Sequence, residues 1–277
     1  MLKSMLVGLD GTAYAAAATE LGIRWAEQYD ALLVGIGVVD VPMVTTPEAT
    51  PMGATFVTGT LDYERLVASR HKVERWLEAF SLRCAAARVS SKVLQYEEDA
   101  LVNISTQAER YDLVILGQQT HFRYETHAGP CDTLDQLLHR PPRPVVAVPD
   151  RIPGGRTVVI AYDGSPQAAR TVAAFRATGI AAKYPTVVLT IGDDHVEAAR
   201  VAGRAVEYLG FHGLHAKTKI VSAKGNVGER LLEEVSKLDA QLLVMGAFSH
   251  SAVRDFFFGS TTRRVLKATG VPVFLYH

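Results

Sequence analysis

Cysteine is scarce. Cys84 and Cys131 are the two in 277 residues, too few for a disulfide framework and suited to a reducing compartment. Neither sign of charge is in excess, since 29 Lys and Arg balance 29 Asp and Glu; no global field therefore draws in nucleic acid or an anionic membrane. Long apolar runs of bilayer-spanning length are missing as well. The opening MLKSMLVGLDG runs straight into a strand pattern, without the long apolar core and small-residue cleavage site of a signal peptide. These absences predict a cytoplasmic protein with no nucleic-acid and no membrane partner.

What is present is ordinary globular composition, 48% hydrophobic and 21% charged, over a length that suits two domains better than one. A repeat sets the architecture. MLVGLDGTAYAAAATELGIRWA, near residue 5, recurs as VVIAYDGSPQAARTVAAFRATG from Val158. In each copy an apolar run ends in Asp-Gly and Thr or Ser, followed by an alanine-rich segment with helical spacing: strand, tight turn, helix. LLVGIGVVD then matches TVVLTIGDD, and YDLVILG matches AQLLVMG. Each half closes on another apolar run, PVVAVPD and VPVFLYH.

Helical patterns such as YERLVASRHKVERWLEAF and VEAARVAGRAVEYLG lie between these strands. Strict alternation implies crossover connections and mostly parallel sheets with helices on both faces. Continuously apolar strands agree, because parallel strands are buried on both sides. The predicted fold is α/β: two tandem doubly wound, Rossmann-like domains, each with a mostly parallel five-stranded sheet. The Pro and Gly seam PDRIPGGR divides the chain into domains 1–151 and 152–277. Residues 41–60, rich in Thr, Pro and Gly, read as a surface loop without counterpart in the second copy.

In open parallel sheets, ligands sit outside the carboxyl ends of strands where the strand order reverses. After QLLVMG the second copy reads GAFSHSAVRDFFFGSTTRRVLKATG, in which Gly259, Ser260 and Thr261 fall at the first turn of a helix. Unpaired N–H groups and partial positive charge at a helix start suit phosphate, glycine permits close approach, and Ser or Thr adds a hydroxyl donor. An ordinary loop with an N-cap accounts for the same residues. Within that loop, Phe256, Phe257 and Phe258 are read as pins to the core and His250 as facing solvent.

These residues resemble the universal stress protein family, specifically its tandem members, over nearly the whole chain. Nucleotide-binding members carry Gly, two residues, Gly, nine residues, Gly and Ser or Thr after the fourth strand. Here Gly246, two residues, Ser249 in place of the second Gly, nine residues, Gly259 and Ser260 follow that pattern. The resemblance implies a fold like that of the adenine nucleotide alpha hydrolases. It also implies ATP, with or without magnesium, in the second copy, and Asp163 of YDGS facing the adenosine part. A turn with Asp163 or Ser165 capping the helix explains the same position. Gly225 and Asn226 start a helix in GNVGERLLEEV, which matches the family's segment after the third strand.

The first copy departs from the pattern. Gly117, two residues, Thr120, eight residues, Gly129 and Pro130 break the spacing, and Pro130 lacks an N–H. Asp132 and Asp135 place negative charge at the next helix start, which repels a triphosphate. Asp10 of LDGT is then a turn residue, and weak or absent ATP binding is expected here. His121, His127, Cys131 and His139 share this stretch, but their spacing matches no established zinc pattern, and an exposed histidine-rich loop is the expected reading.

No GxxxxGK[ST] loop, paired acidic metal site or activated nucleophile is present, so no catalytic residue is assigned and any ATP hydrolysis is slow and incidental. Two readings follow. In one, adenine nucleotide in the second copy regulates an unknown protein partner. In the other, a scaffold with vestigial sites acts through assembly. The family's members associate through their last strands, which implies that PVVAVPD and VPVFLYH pair as an internal pseudo-dimer, with a further homodimer open.

Overall fold

The computed structural model describes residues 1–41, 55–122, 133–139, 141–247 and 260–277. By contact the chain forms two compact units, one of Lys3–Pro142 and one of Met1–Leu2 with Arg143–His277.

The Lys3–Pro142 unit holds strands β1 (Ser4–Gly8), β2 (Leu32–Val39), β3 (Ser91–Glu97) and β4 (Leu113–Gly117) in the order β3-β2-β1-β4. All three pairings are parallel. Its helices are α1 (Ala13–Tyr29), α2 (Thr55–Ala86), α3 (Ala100–Ala108) and α4 (Thr133–His139). The helix α2 begins at Thr55, so the last residues of the stretch read as a loop are helical. Strand β4 is buried at every position, as a strand covered on both faces must be.

The other unit contains β5 (Val145–Val148), β6 (Thr157–Ala161), β7 (Thr186–Ile191), β8 (Ala216–Val221), β9 (Ala240–Gly246) and β10 (Val273–Tyr276), ordered β5-β10-β9-β6-β7-β8. Helices α5 (Pro166–Thr178), α6 (His195–Phe211), α7 (Val227–Lys237) and α8 (Ser260–Ala268) connect them. Pairing is parallel throughout except between β5 and β10, which run antiparallel with Val146 opposite Phe274. Each repeat supplies five strands, but they divide four and six. The Pro/Gly seam marks where the repeat ends in sequence, whereas backbone pairing with β10 carries β5 into the second unit.

Local chemistry explains the helix starts. Ser165 accepts from the N–H of Ala168 and Pro166 opens α5, a position where proline loses no hydrogen bond. Asp194 and Asn226 cap α6 and α7 in the same way. At the far end of α5, Gly179 takes φ +80°, the left-handed turn glycine makes without Cβ strain. The Met1 ammonium donates to Ala177 O at 2.6 Å and Leu2 N to Thr178 O at 2.8 Å, placing positive charge where the helix dipole is negative. Phe175 meets Phe274 edge-on at 5.2 Å and fixes α5 over β10; truncating such a ring costs about 3–5 kcal/mol.

Candidate functional site

The strand order reverses between β6 and β9 in the second unit and between β1 and β4 in the first. At the β6–β9 reversal, the strand turns through Asp163 and Gly164, the latter at φ +80°. Asp163 is exposed. Its Oδ1 accepts from Ser165 N at 2.9 Å, and among the described residues its Oδ2 accepts nothing. The turn role expected of this residue is therefore real, and it leaves one carboxylate oxygen open at the sheet's carboxyl edge.

Gly246 ends β9 beside this turn. A Cβ there would lie 3.0 Å from the backbone N of Ala168 in the first turn of α5, so strand and helix approach too closely for a side chain. Gly117 stands in the same relation to Tyr14, whose Cβ would lie 2.4 Å from one added to the glycine. Packing accounts for this glycine in both repeats, before any ligand is considered. Ser260 is the first residue of α8, and Thr261 is half-buried in its first turn. An ion pair between Arg264 and Glu229 ties α8 to α7. Ser249, His250, Phe256, Phe257, Phe258 and Gly259 lie outside the described residues.

Other groups at this edge escape motif reading. Asp193, after β7, accepts from Ser222 Oγ at 2.7 Å and Ala223 N at 3.0 Å, joining the loops that follow β7 and β8. Thr190 donates to Tyr162 O at 2.8 Å and secures the end of β6. From α6, Val201 and Arg204 lean over Gly164; a Cβ there would sit 3.0 Å from an Arg204 guanidinium nitrogen. Arg204 thus brings positive charge to the Asp163 turn from a helix whose sequence shows amphipathic spacing and no motif.

The first repeat uses the same Asp-Gly turn differently. Asp10 is 4% exposed. Its Oδ1 accepts from Thr12 N at 3.0 Å and Thr12 Oγ1 at 2.7 Å, and its Oδ2 from His121 N at 2.8 Å. Burial pushes the carboxyl above its ordinary range and outweighs these donors. Trp76 lies against Gly11, whose added Cβ would fall 2.2 Å from the indole, and buried Phe122 would stand 3.2 Å from a Cβ on Gly8. The chain's own residues fill this crevice.

The histidine cluster is only partly described. The backbone of His121 serves Asp10, and His139 Nδ1 lies 2.7 Å from Asp135 O within its own helix. His127, Cys131, Gly129 and Pro130 lie outside the described residues. Among the described residues, no group of three or more His, Cys, Asp or Glu is placed to hold a metal, and no helix is long and apolar enough to cross a membrane.

Parallel strands wound in both directions from a reversal, with an open carboxylate turn beside it, define a doubly wound α/β protein of the Rossmann-like class. Residues 155–277 match the model of the universal stress protein family, which puts a domain of that family in the second repeat. A curated universal stress protein of Synechocystis sp. is 25% identical over 173 residues, covering 60% of this chain and 58% of that relative's length. In fold, the chain is similar to a universal stress protein from Archaeoglobus fulgidus. The TM-score is 0.71 at 19% identity, with 99% of this chain and 97% of that one covered. A functionally unknown protein from Pseudomonas aeruginosa gives 0.61 at 16% identity, with 99% and 92% covered.

Proposed function

We propose that this universal stress protein family member binds an adenine nucleotide, ATP with magnesium, in its second repeat, and that occupancy regulates a protein partner in a cytoplasmic stress response. The observation that carries the reading is the contrast between the two Asp-Gly turns. Asp163 is exposed with an open oxygen, whereas both oxygens of Asp10 are occupied under the protein's own side chains. The residues present fit the ligand: an open carboxylate accepts from ribose hydroxyls or the adenine amino group, and Ser260, Thr261 and the N–H groups of the first turn of α8 suit phosphate. Gly246, Ser249 and Gly259 complete the spacing that supports the phosphate assignment. On this reading the first repeat is a structural partner that binds nucleotide weakly or not at all.

Titration calorimetry with ATP and magnesium, and mass spectrometry of protein purified without added nucleotide, test the proposal. Gly259→Trp is expected to abolish binding while the fold persists; unchanged affinity would refute the site. The antiparallel β5–β10 pair favours a second reading, an assembly protein with vestigial sites. Lack of ATP binding by the unaltered protein would leave that one standing.

A further inference from the structure

In the Lys3–Pro142 unit, α1 and α2 do not close completely over the end of β1. A half-open cavity of about 120 Å³ remains between them, lined by Leu9, Ala15, Thr19, Trp76, Phe80 and Arg83. The small side chains of Ala15, Ala16 and Ala79 leave this space; the buried ring of Phe80 and the half-buried indole of Trp76 bound it. The floor is apolar. Thr19 adds little polarity, because its hydroxyl is committed to Ala15 O at 2.9 Å.

Arg83 stands at the rim on α2. It is exposed, and its Nη1 reaches across to Ala16 O on α1 at 3.3 Å. Among the described residues it pairs with no carboxylate, unlike Arg24 with Glu20 and Arg70 with Glu97. A guanidinium has five N–H donors in a planar fork suited to carboxylate, so one long bond to a carbonyl leaves most of that capacity open. An engineered apolar cavity of about 150 Å³ takes benzene; this one is slightly smaller and open on one side, so it admits a ring or branched alkyl group whose polar end stays at the mouth.

We propose that the first repeat binds a small hydrophobic carboxylate here, an aryl or branched aliphatic acid, with its apolar group against Trp76 and Phe80 and its carboxylate on Arg83. The site adjoins the Asp10 turn, with Gly11 and Trp76 in its lining, but uses neither oxygen of Asp10 and does not depend on nucleotide in the second repeat.

Benzoate is the probe and benzamide its neutral counterpart. With so few ligand atoms, the expected dissociation constant is of order 1 mM. Binding is read by tryptophan fluorescence and by saturation-transfer NMR on the full chain. Benzoate is expected to change the fluorescence, and Trp76→Phe to silence that change while NMR contact persists. Arg83→Gln is expected to weaken benzoate about tenfold and leave benzamide unaltered. Ala79→Leu, at an exposed position where folding is not at risk, is expected to fill the cavity and remove both ligands. Absence of benzoate binding by the unaltered protein would overturn the proposal, as would binding that survives Ala79→Leu or is indifferent to Arg83→Gln.

Discussion

Replacing Asp10 with alanine removes the acceptor of three hydrogen bonds in the first unit. Thr12 Oγ1 goes on accepting from Ala15 N as the α1 cap, and its O–H, on a half-buried residue, turns to solvent. The backbone N–H groups of Thr12 and His121 cannot turn in this way, and an orphaned donor costs about 1–3 kcal/mol, near the low end for residues that are only half-buried. Relief of the buried carboxylate's desolvation offsets part of this. The expected loss is about 2 kcal/mol, or roughly 6–10 °C in Tm for a unit of this size. The protein carries its own reporter: its two tryptophans, Trp25 and Trp76, both lie in the Lys3–Pro142 unit, so their fluorescence in urea follows that unit. Asp10→Asn supplies the pH arm. Because burial raises the carboxyl's pKa, the folded unit binds a proton more tightly than the unfolded chain. That contribution is fully present below the ordinary carboxylate pKa and is lost as pH rises through the raised value. The unaltered protein should therefore gain stability relative to Asp10→Asn on acidification from neutral pH. A loss below about 0.5 kcal/mol in Asp10→Ala, or parallel pH profiles for the two proteins, would refute this account of the turn.

The corresponding change in the second repeat should behave oppositely: Asp163→Ala is expected to leave stability within about 0.5 kcal/mol while weakening ATP about tenfold or more in calorimetry. Gly117→Ala should lower the first unit's urea midpoint by the equivalent of about 2–3 kcal/mol, because its Cβ would meet both the side chain and the backbone of Tyr14. Buried Glu234 is held below its ordinary pKa of 4.5 by Lys219 at 2.7 Å, and also by Lys237 at 2.8 Å. That contribution is present above the ordinary value and lost as pH falls through the lowered one. Glu234→Gln should thus cost about 1–2 kcal/mol at neutral pH, a gap in urea midpoint that closes on acidification below the ordinary value.

Periodicity and punctuation made much of this molecule legible. The repeat, the strand–turn–helix at each Asp-Gly, the Asn226 cap and the start of a helix at Ser260 all follow from local chemistry. Pairing of the two closing strands was implied by family resemblance, and β5 and β10 do pair. The difference between Asp10 and Asp163 was visible only in part. LDGT and YDGS are nearly the same words, and the broken spacing after Gly117 pointed to weak or absent ATP binding without showing what fills the crevice. That depends on Trp76, His121 and Phe122, which reach the turn from far along the chain and stand at no motif spacing. Arg204 was hidden for the same reason. Gly246 reads as a ligand position, although its first duty, like that of Gly117, is strand-to-helix approach, a requirement set by tertiary distance.

The β5–β10 pair also carries a consequence for synthesis on the ribosome. Residues 3–142 can fold as soon as they emerge, since every strand of their sheet is already in hand. The second unit has no such freedom: the β5–β10 ladder cannot form until β10 has emerged, and Met1 reaches Ala177 across a sequence separation of 176. During that interval Val145–Val148, buried in the finished protein, presents to solvent the edge that β10 will cover, an apolar edge of the kind that invites adventitious pairing. The two prolines at 141 and 142 that precede it and the short length of the strand limit that hazard until its partner arrives.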